Sequence, residues 1–285
     1  MTIDGFPLAS DPETPLISII TVVYNNCENI ARAMDSVFAQ TYRNIEYILI
    51  DGGSTDGTTD IIRRYEDKLG YWHSAPDKGI GDAFNSGVAL ARGDIIGLVN
   101  SDDWMSPDQV ERGVATLQST DAPLIFGDLL FYRPGDDRPL FRQHGRPDYR
   151  KDLWYCLPTI MHPTSLVRRQ VYEEHGLFDT RWKIAVDYDW FYRLAGNGVY
   201  AQHVPSIVGH MSLGGVSDRK WLESLGENAK IARQHGSPPL RVEWKRAMLI
   251  VRMSLREAME RVLPGALSWR IRNFLNRTRS SVEKE

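Results

Sequence analysis

The first hundred residues alternate short apolar runs with helix-type segments, and this alternation constrains the fold more than any other feature. Continuous β-branched and aliphatic runs occupy residues 18–23, 45–50 and 95–99. Runs of this kind are typical of strands that are buried on both faces. Between them, apolar residues recur at helical spacing over 28–40 and 82–91. The pattern predicts an α/β fold, a Rossmann-like and mostly parallel sheet with helices on both faces.

The second half of the chain has a different pattern. Residues 124–132 and 140–143 flank a Pro-Gly-Asp-Asp turn, which predicts a β-hairpin. A helix is predicted to begin near Asp187, and another covers about 218–234. The Ser-Pro-Pro run at 237–239 is the clearest linker signal, and we expect a helical extension beyond it.

Composition excludes several classes of protein. The two cysteines, Cys27 and Cys156, are too few for a disulfide framework, which favours a reducing, cytoplasmic setting. The N-terminal segment carries acidic residues instead of a basic stretch before an apolar run, so we expect no secretory signal. No stretch approaches the roughly 18 apolar residues that a membrane span needs.

Charge is distributed unevenly along the chain. Residues 241–285 contain 11 Lys/Arg and 5 Asp/Glu, so that this segment carries +6 and the remainder −9. An acidic body argues against a nucleic-acid binder. Basic residues interleaved with Trp and Phe over 241–279 suit an anionic membrane surface, which predicts a peripheral position on the inner face of the cell membrane. Packing on the chain's own core or on a second subunit is the alternative.

Acidic residues cluster where predicted strands end. Asp51 closes the second strand, Asp77 and Asp82 flank a glycine loop, and Asp102 and Asp103 follow the fourth strand. Ligands of open α/β sheets bind outside the carboxyl ends of the strands. Gathered carboxylates repel one another unless a cation holds them, and Mg²⁺ or Mn²⁺ commonly bridges such groups to substrate phosphates. Helix capping and turn formation are the alternative roles.

Taken in order, these motifs resemble those of the family 2 glycosyltransferases. The similarity is carried by residues 19–25, 51–58, 77–80 with Asn85 and Gly87, 100–103, 176–179, and 187–190 with Arg193. It implies a GT-A fold and a metal-dependent, inverting transfer of a sugar from a nucleotide diphosphate donor. It also implies a role in polysaccharide or lipid-linked glycan assembly.

The resemblance also implies a domain organisation. An N-terminal tail (1–14) would precede a GT-A catalytic domain (15–216). Within that domain, residues 15–105 would form the nucleotide-sugar half and residues 106–216 the acceptor half. A helical, basic and amphipathic extension (217–285) would follow.

The resemblance assigns donor contacts to the first half. Tyr24 would pack on the nucleobase, Asp51 would hydrogen-bond the base or ribose, and Asp102 would contact ribose or sugar. Lys78 could meet a phosphate or remain solvated, and Asn85 could reach the donor or cap locally. Tyr24 and Asp51 are compatible with uracil, so a UDP-sugar is favoured. The full set is Thr21, Tyr24, Asn25, Asp51, Lys78, Asp82, Asn85 and Asp102.

The same resemblance assigns the metal and the base. Asp103 would be the direct ligand of Mn²⁺ or Mg²⁺, although Asn100 stands where many relatives carry an aspartate. Asp187 would take the acceptor proton, with Val186 in place of a preceding glutamate. His210 is a further candidate contact for the metal or the diphosphate.

Asp189 is expected to have a structural role. On a helix it would point about 200° away from Asp187, and it lies four residues before Arg193, the spacing of a helical ion pair.

Two other functions fit parts of the pattern. A nucleotidyltransferase-like nucleotide-sugar enzyme would need a glycine- and basic-rich loop after its first strand, where this chain has Tyr24-Asn25-Asn26-Cys27. A dehydrogenase is excluded because the G-x-G-x-x-G turn is absent. A non-catalytic nucleotide-sugar binding protein would be expected to lack the base or the metal pair.

Overall fold

The computed structural model describes residues 14–153 and 160–262, and in them the chain forms one mixed sheet flanked by helices. The strands are β1 (Ile17–Val23), β2 (Ile45–Asp51), β3 (Tyr71–Ser74), β4 (Ile95–Asn100), β5 (Asp103–Met105), β6 (Leu124–Tyr132), β7 (Phe141–Gln143), β8 (Leu166–Arg168) and β9 (Ala201–Ser212). The helices are α1 (Ile30–Phe38), α2 (Thr58–Arg63), α3 (Ile80–Leu90), α4 (Gln109–Ser119), α5 (Tyr149–Asp152), α6 (Arg169–His175), α7 (Val186–Gly196), α8 (Val216–Arg219), α9 (Trp221–Gln234) and α10 (Pro239–Val262).

The sheet has the order β3-β2-β1-β4-β8-β6-β9-β5, with β7 paired to the outer part of β6. Strands β1 to β4 are mutually parallel, and Ile17 at the start of β1 lies opposite both Ile45 and Ile95. The predicted parallel sheet is therefore confirmed. Because these four strands point the same way, their carboxyl ends meet at a single edge.

Both faces of the parallel half are covered. In β1, Ile20 and Val22 belong to one buried cluster, whereas Ile17 and Ile19 belong to another on the opposite face. The first cluster includes Phe84 of α3. This two-sided burial explains why β1 is a continuous apolar run with no polar alternation.

Strand β9 lies between β6 and β5 in the mixed half of the sheet, and the sequence did not predict it. It runs parallel to β6 and antiparallel to β5, and Pro205 interrupts its apolar pattern. Strand β5 was also missed, because three residues carry no usable periodicity. As a result Asp103 begins a strand paired with Met211, whereas the sequence placed it in a loop.

The extension after the α/β body is helical in the residues described. The segment expected as one helix from 218 is split between α8 and α9 at Lys220. Helix α10 packs on α9, and α9 packs on α7. Within the described residues no helix has the length and apolar character required to cross a bilayer.

Candidate functional site

Four loops follow the parallel strands at the common edge of the sheet. Tyr24 comes directly after β1, with a side chain that is 65% exposed. Asp51 ends β2, Asp77 follows β3, and Asp102 follows β4. The structure therefore brings together the acidic motifs that are separated by up to 51 residues in the sequence. An exposed aromatic ring beside these loops can stack on a flat ligand.

Hydrogen bonds tie three of these loops together. Asn25, in the left-handed region with φ of 48°, donates its backbone N–H to Ser54 Oγ at 2.7 Å and accepts the Thr55 N–H at 2.8 Å. Asn26 Nδ2 donates to Ser101 Oγ at 2.8 Å. The loops after β1, β2 and β4 thus form one connected rim. In this arrangement Asn25 joins the loops of the rim, and its side-chain Oδ1 already accepts a hydrogen bond from Thr55.

Asp51 is fully buried, and its carboxylate joins its own loop to the end of β3. Its carboxylate accepts the backbone N–H groups of Gly53 at 3.2 Å and Ser54 at 2.9 Å, and the Ser74 hydroxyl at 2.5 Å. The geometry gives Asp51 a loop-forming role that differs from the expected contact with a base or ribose.

Two other expected donor contacts lie inside the fold. Thr21 is fully buried in β1 and accepts the Tyr47 hydroxyl at 2.9 Å. Asn85 binds the backbone of Phe178 through both ends of its amide, each at 2.9 Å. Each side chain is thus engaged in joining two parts of the protein, and we base no donor contact on either.

The loop after β3 is shaped by its own carboxylates. Asp77 Oδ1 accepts the Gly79 N–H at 2.8 Å, and Asp82 Oδ2 accepts the Lys78 N–H at 3.1 Å. The Lys78 side chain is exposed. Lys183, which no sequence signal indicated, donates its ammonium to the Lys78 carbonyl at 3.1 Å. Two lysines therefore place positive charge beside this loop.

Asp103 is buried with an unsatisfied oxygen. Its Oδ2 accepts from Asn100 Nδ2 at 2.9 Å, whereas its Oδ1 and the Oδ1 of Asn100 are both buried without a hydrogen-bond partner. Burial, together with the charge of Asp102, raises the pKa of Asp103 well above its usual range. Burial also raises the pKa of Asp102. Unsatisfied, buried oxygen atoms of this kind fit a divalent cation.

Asp102 lies on the more open side of this pair. A Cβ atom added to Gly215 would lie 2.9 Å from Asp102 Oδ2, so glycine allows the loop before α8 to approach the carboxylate. The described residues contain no group of three His, Cys, Asp or Glu side chains arranged to hold a metal. A cation here would thus rely on the carboxylate pair and on phosphate oxygens of a ligand.

His210 has no ring nitrogen available for a metal in this arrangement. Its Nε2 is hydrogen bonded to Ser106 Oγ at 2.9 Å and its Nδ1 to the Tyr132 hydroxyl at 2.8 Å. Its ring stacks on Trp104, and the Arg32 guanidinium also packs on that indole, 3.4 Å from the Trp104 ring centroid. Burial and the Arg32 charge lower the pKa of His210 to about 4. We therefore leave His210 out of the metal site.

Asp187 lies in the first turn of α7 and is partly exposed. Its carboxylate accepts the N–H of the next residue, Tyr188, at 2.8 Å. Buried His162 lies close enough for the Asp187 charge to act on it: burial lowers the pKa of His162, and Asp187 opposes that effect. The turn His162–Thr164 packs on β4 and β5, which carry Asn100 and Asp103. The turn at 162–164 therefore contacts the strands that carry the acidic pair and lies near Asp187.

The structural role expected for Asp189 is confirmed. The Asp189 carboxylate is buried. It accepts a hydrogen bond from Arg193 Nε and is hydrogen bonded to His235 Nε2, each at 3.2 Å. Arg193 in turn donates to the His175 carbonyl at 2.8 Å. Asp187 and Asp189 therefore have separate environments although they are only two residues apart.

These features define an α/β protein with a set of polar and acidic loops at the carboxyl ends of parallel strands. The model for "Glycosyl transferase family 2" matches residues 18–176 of the chain. The chain belongs to that family. A curated relative from Rickettsia typhi (strain ATCC VR-144 / Wilmington), called an uncharacterized glycosyltransferase, is 33% identical over 199 residues, which cover 67% of this chain. The match spans 62% of that relative, less than two thirds of its length.

Solved structures show the same fold. Staphylococcus aureus TarS in complex with UDP-GlcNAc aligns with a TM-score of 0.60 and 16% identity, over 82% of this chain and 71% of that one. The mannosyltransferase PcManGT from Pyrobaculum calidifontis, in complex with GDP-Man and Mn²⁺, aligns with a TM-score of 0.62 and 19% identity, over 96% and 84% of the two chains. These likenesses confirm the expected GT-A architecture with C-terminal helices.

Proposed function

We propose that this protein is a glycosyltransferase that moves a sugar from a nucleotide diphosphate donor to a hydroxyl group of a glycan or lipid-linked acceptor, with inversion. The observation that carries this proposal is that four strand-end loops meet at one edge of the sheet. Lys183, four residues before Asp187, bonds the loop after β3 through the Lys78 carbonyl at 3.1 Å. The rim offers an exposed ring at Tyr24, positive charge at Lys78 and Lys183, and a carboxylate pair. The ring suits a nucleobase, the lysines suit phosphate oxygens, and the carboxylate pair suits a cation that bridges to the diphosphate.

Asp187 is our candidate for the general base. Inversion requires the acceptor hydroxyl to attack the sugar from the side opposite to the leaving diphosphate, and a carboxylate must take its proton. Asp187 suits this role because it is partly exposed and its only hydrogen bond among the described residues is to the adjacent N–H. Lys78 and Lys183, beside the loop after β3, would face the charge that develops on the diphosphate.

Asp103 and Asp102 are our candidates for holding Mn²⁺ or Mg²⁺. The fit rests on the unsatisfied Oδ1 atoms of Asp103 and Asn100 described above. A bound ion would supply Lewis-acid stabilisation of the diphosphate. The protein's part is to hold the two carboxylates beside the rim, and the tie from Asn26 to Ser101 fixes the start of that loop.

The donor can be tested by thermal shift with UDP, GDP and dTDP, each with and without Mn²⁺. We expect UDP with Mn²⁺ to give the largest rise in Tm. A ligand present at about 100 times its Kd stabilises a protein by about 2.7 kcal/mol, which raises the Tm of a chain of this size by about 4–5 °C. The change Tyr24→Ala should reduce the shift by removing the stacking surface. The matched control is Tyr200→Ala, which removes a ring that is 53% exposed elsewhere. Absence of any metal-dependent shift would contradict the proposal.

A product assay separates the enzyme classes. A panel of nucleotide sugars is incubated with the protein, and the released compound is identified. Sugar transfer releases a nucleoside diphosphate, whereas a nucleotidyltransferase releases or consumes pyrophosphate. Binding without release of either compound would instead indicate a non-catalytic nucleotide-sugar binding protein.

We also propose that α10 holds the protein against an anionic membrane surface. One side of α10 packs on the body through Val242 and Leu249, while the opposite side exposes an apolar stripe. Arg241, Lys245 and Arg252 follow one edge of that stripe at helical spacing. An apolar face beside a basic edge is typical of helices that lie in the plane of an anionic bilayer. The apolar stripe consists of Leu240, Trp244, Met248, Val251 and Leu255. The expected contact over 263–279 lies outside the described residues.

The double change Trp244→Ala/Leu255→Ser should weaken binding to phosphatidylglycerol vesicles by about tenfold or more. Each replacement removes part of the roughly 1.5–3 kcal/mol of binding free energy that burial of a large apolar side chain in the bilayer supplies. Both side chains are more than half exposed, so the fold should not change. Cosedimentation measures the effect, and Tyr200→Ala/Leu90→Ser, two exposed apolar residues off α10, is the control. Equal binding by all three proteins would contradict the assignment.

A further inference from the structure

A cationic cavity lies between α5, α7 and the turn that joins α9 to α10. Its volume is about 220 Å³, and Arg150, His235 and Arg241 line it together with the hydroxyl-bearing Tyr192 and Ser237. Among the residues that the structure describes, no carboxylate contributes to the lining. The cavity is separate from the strand-end crevice, and nothing in the proposed reaction uses it.

The two arginines that face this cavity are poorly neutralised. Among the described residues, the carboxylate that pairs with Arg150 is that of Asp148, at 3.9 Å. Arg241 forms no ion pair within the part of the chain that the structure describes. The nearby Asp189 is already engaged with Arg193 and His235. Arg150 and Arg241 both line this cavity, and an anion bound there would be attracted by the charge of each.

The other polar side chains that line the cavity are held in place by contacts with one another. The Tyr192 and Ser237 hydroxyls are hydrogen bonded to each other, and the His235 ring stacks on Tyr192 with centroids 4.9 Å apart and planes 12° apart. Guanidinium groups match phosphate oxygens in paired, parallel hydrogen bonds. The volume and the donors therefore suit a compact oxyanion with several oxygen atoms.

We propose that this cavity binds a phosphate group. Tyr192 is on the helix that begins beside Asp187, about 7.5 Å farther along its axis by helical rise. Arg241 follows Leu240, the first residue of the apolar stripe. A phosphate bound here would thus lie between the acceptor side of the crevice and the membrane-facing helix. Its assignment to a phosphate-bearing acceptor rests on the proposed function, but phosphate binding itself does not.

The first test measures binding of inorganic phosphate and pyrophosphate by calorimetry, in the full-length protein without a donor. Arg150→Gln and Arg241→Gln should each weaken binding by about tenfold or more, because hydrogen bonds to charged groups are the strong ones. Arg64→Gln, which removes the same charge from an exposed position after α2, should leave binding unchanged. Circular dichroism checks that each variant folds. Dependence on both arginines separates this site from any phosphate bound at the donor loops.

The second test identifies the source of the phosphate. Vesicles that contain phosphatidic acid, phosphatidylglycerol or only phosphatidylcholine are added in competition with soluble phosphate. Competition that requires phosphatidic acid and is lost in Arg150→Gln, a change off the membrane-facing helix, would assign a lipid headgroup, and absence of competition would assign a soluble phosphate compound. The proposal is overturned if neither phosphate nor vesicles bind in an arginine-dependent way. Failure of sugar transfer would leave this result intact, because the test needs no catalysis.

Discussion

Replacing Asp187 with asparagine should lower the rate of sugar transfer by about 10³-fold while nucleotide binding and Tm stay nearly unchanged. General base catalysis typically contributes 10²–10⁴-fold, and asparagine keeps the size of the side chain but cannot take a proton. The fold should tolerate the change because the carboxylate contacts only the Tyr188 N–H among the described residues. Initial rates with the donor identified above, together with nucleotide titration, measure both quantities.

Asp189→Asn is the matched control on the same helix. Its carboxylate bonds Arg193 and His235, so we expect the opposite result, with Tm lowered and transfer reduced only in proportion to the folded fraction. Removal of one partner from a buried ion pair typically costs about 3–5 kcal/mol. A full transfer rate in Asp187→Asn, or a 10³-fold loss in correctly folded Asp189→Asn, would reject our choice of base.

Replacing Asp103 with asparagine should separate stability from metal binding. Without metal, we expect Tm to stay the same or to rise by a few degrees, because a neutral amide replaces a carboxylate that is only 1% exposed. With Mn²⁺ and nucleotide, we expect the stabilisation to be lost. Even outer-shell partners of metal sites cost about 10–100-fold in affinity when removed, so loss of a direct ligand should cost about 100-fold or more. Differential scanning fluorimetry over a Mn²⁺ titration gives both values.

The control for that experiment is Asp108→Asn. Asp108 precedes α4 and pairs with Arg112 at 2.6 Å, away from the rim, so its replacement should not alter the Mn²⁺ dependence. If Asp103→Asn binds metal and nucleotide as tightly as the unchanged protein, Asp103 is not a ligand. Asp102, on the open side of the pair, would then be the residue to replace next.

Local sequence patterns were sufficient for the parallel half of the fold. The run in β1 reads as a buried strand because both of its faces are covered, and helix α7 begins where the spacing of its apolar residues predicts. The role of Asp189 was also readable, since an i,i+4 ion pair depends only on helical geometry. Features of this kind depend on neighbours within a few residues.

Side-chain roles at the site were harder to read from the chain alone. Thr21, Asp51 and Asn85 stand at motif positions, yet each is used to join parts of the protein to one another. His210 has both ring nitrogens bonded by residues 104 and 78 positions away in sequence. Hydrogen-bond partners so distant in sequence are not encoded in any local pattern.

The amino-acid order was enough to establish the alternating α/β architecture, the family and the presence of acidic loops, because periodicity and short motifs are local properties. Tertiary packing alone decided which of those polar groups remain available. It buried the Asp103 oxygen without a partner, placed Lys183 beside Lys78, and exposed one face of α10. The physical reason is that availability depends on which distant atoms compete for each donor and acceptor, and only the folded chain determines those neighbours.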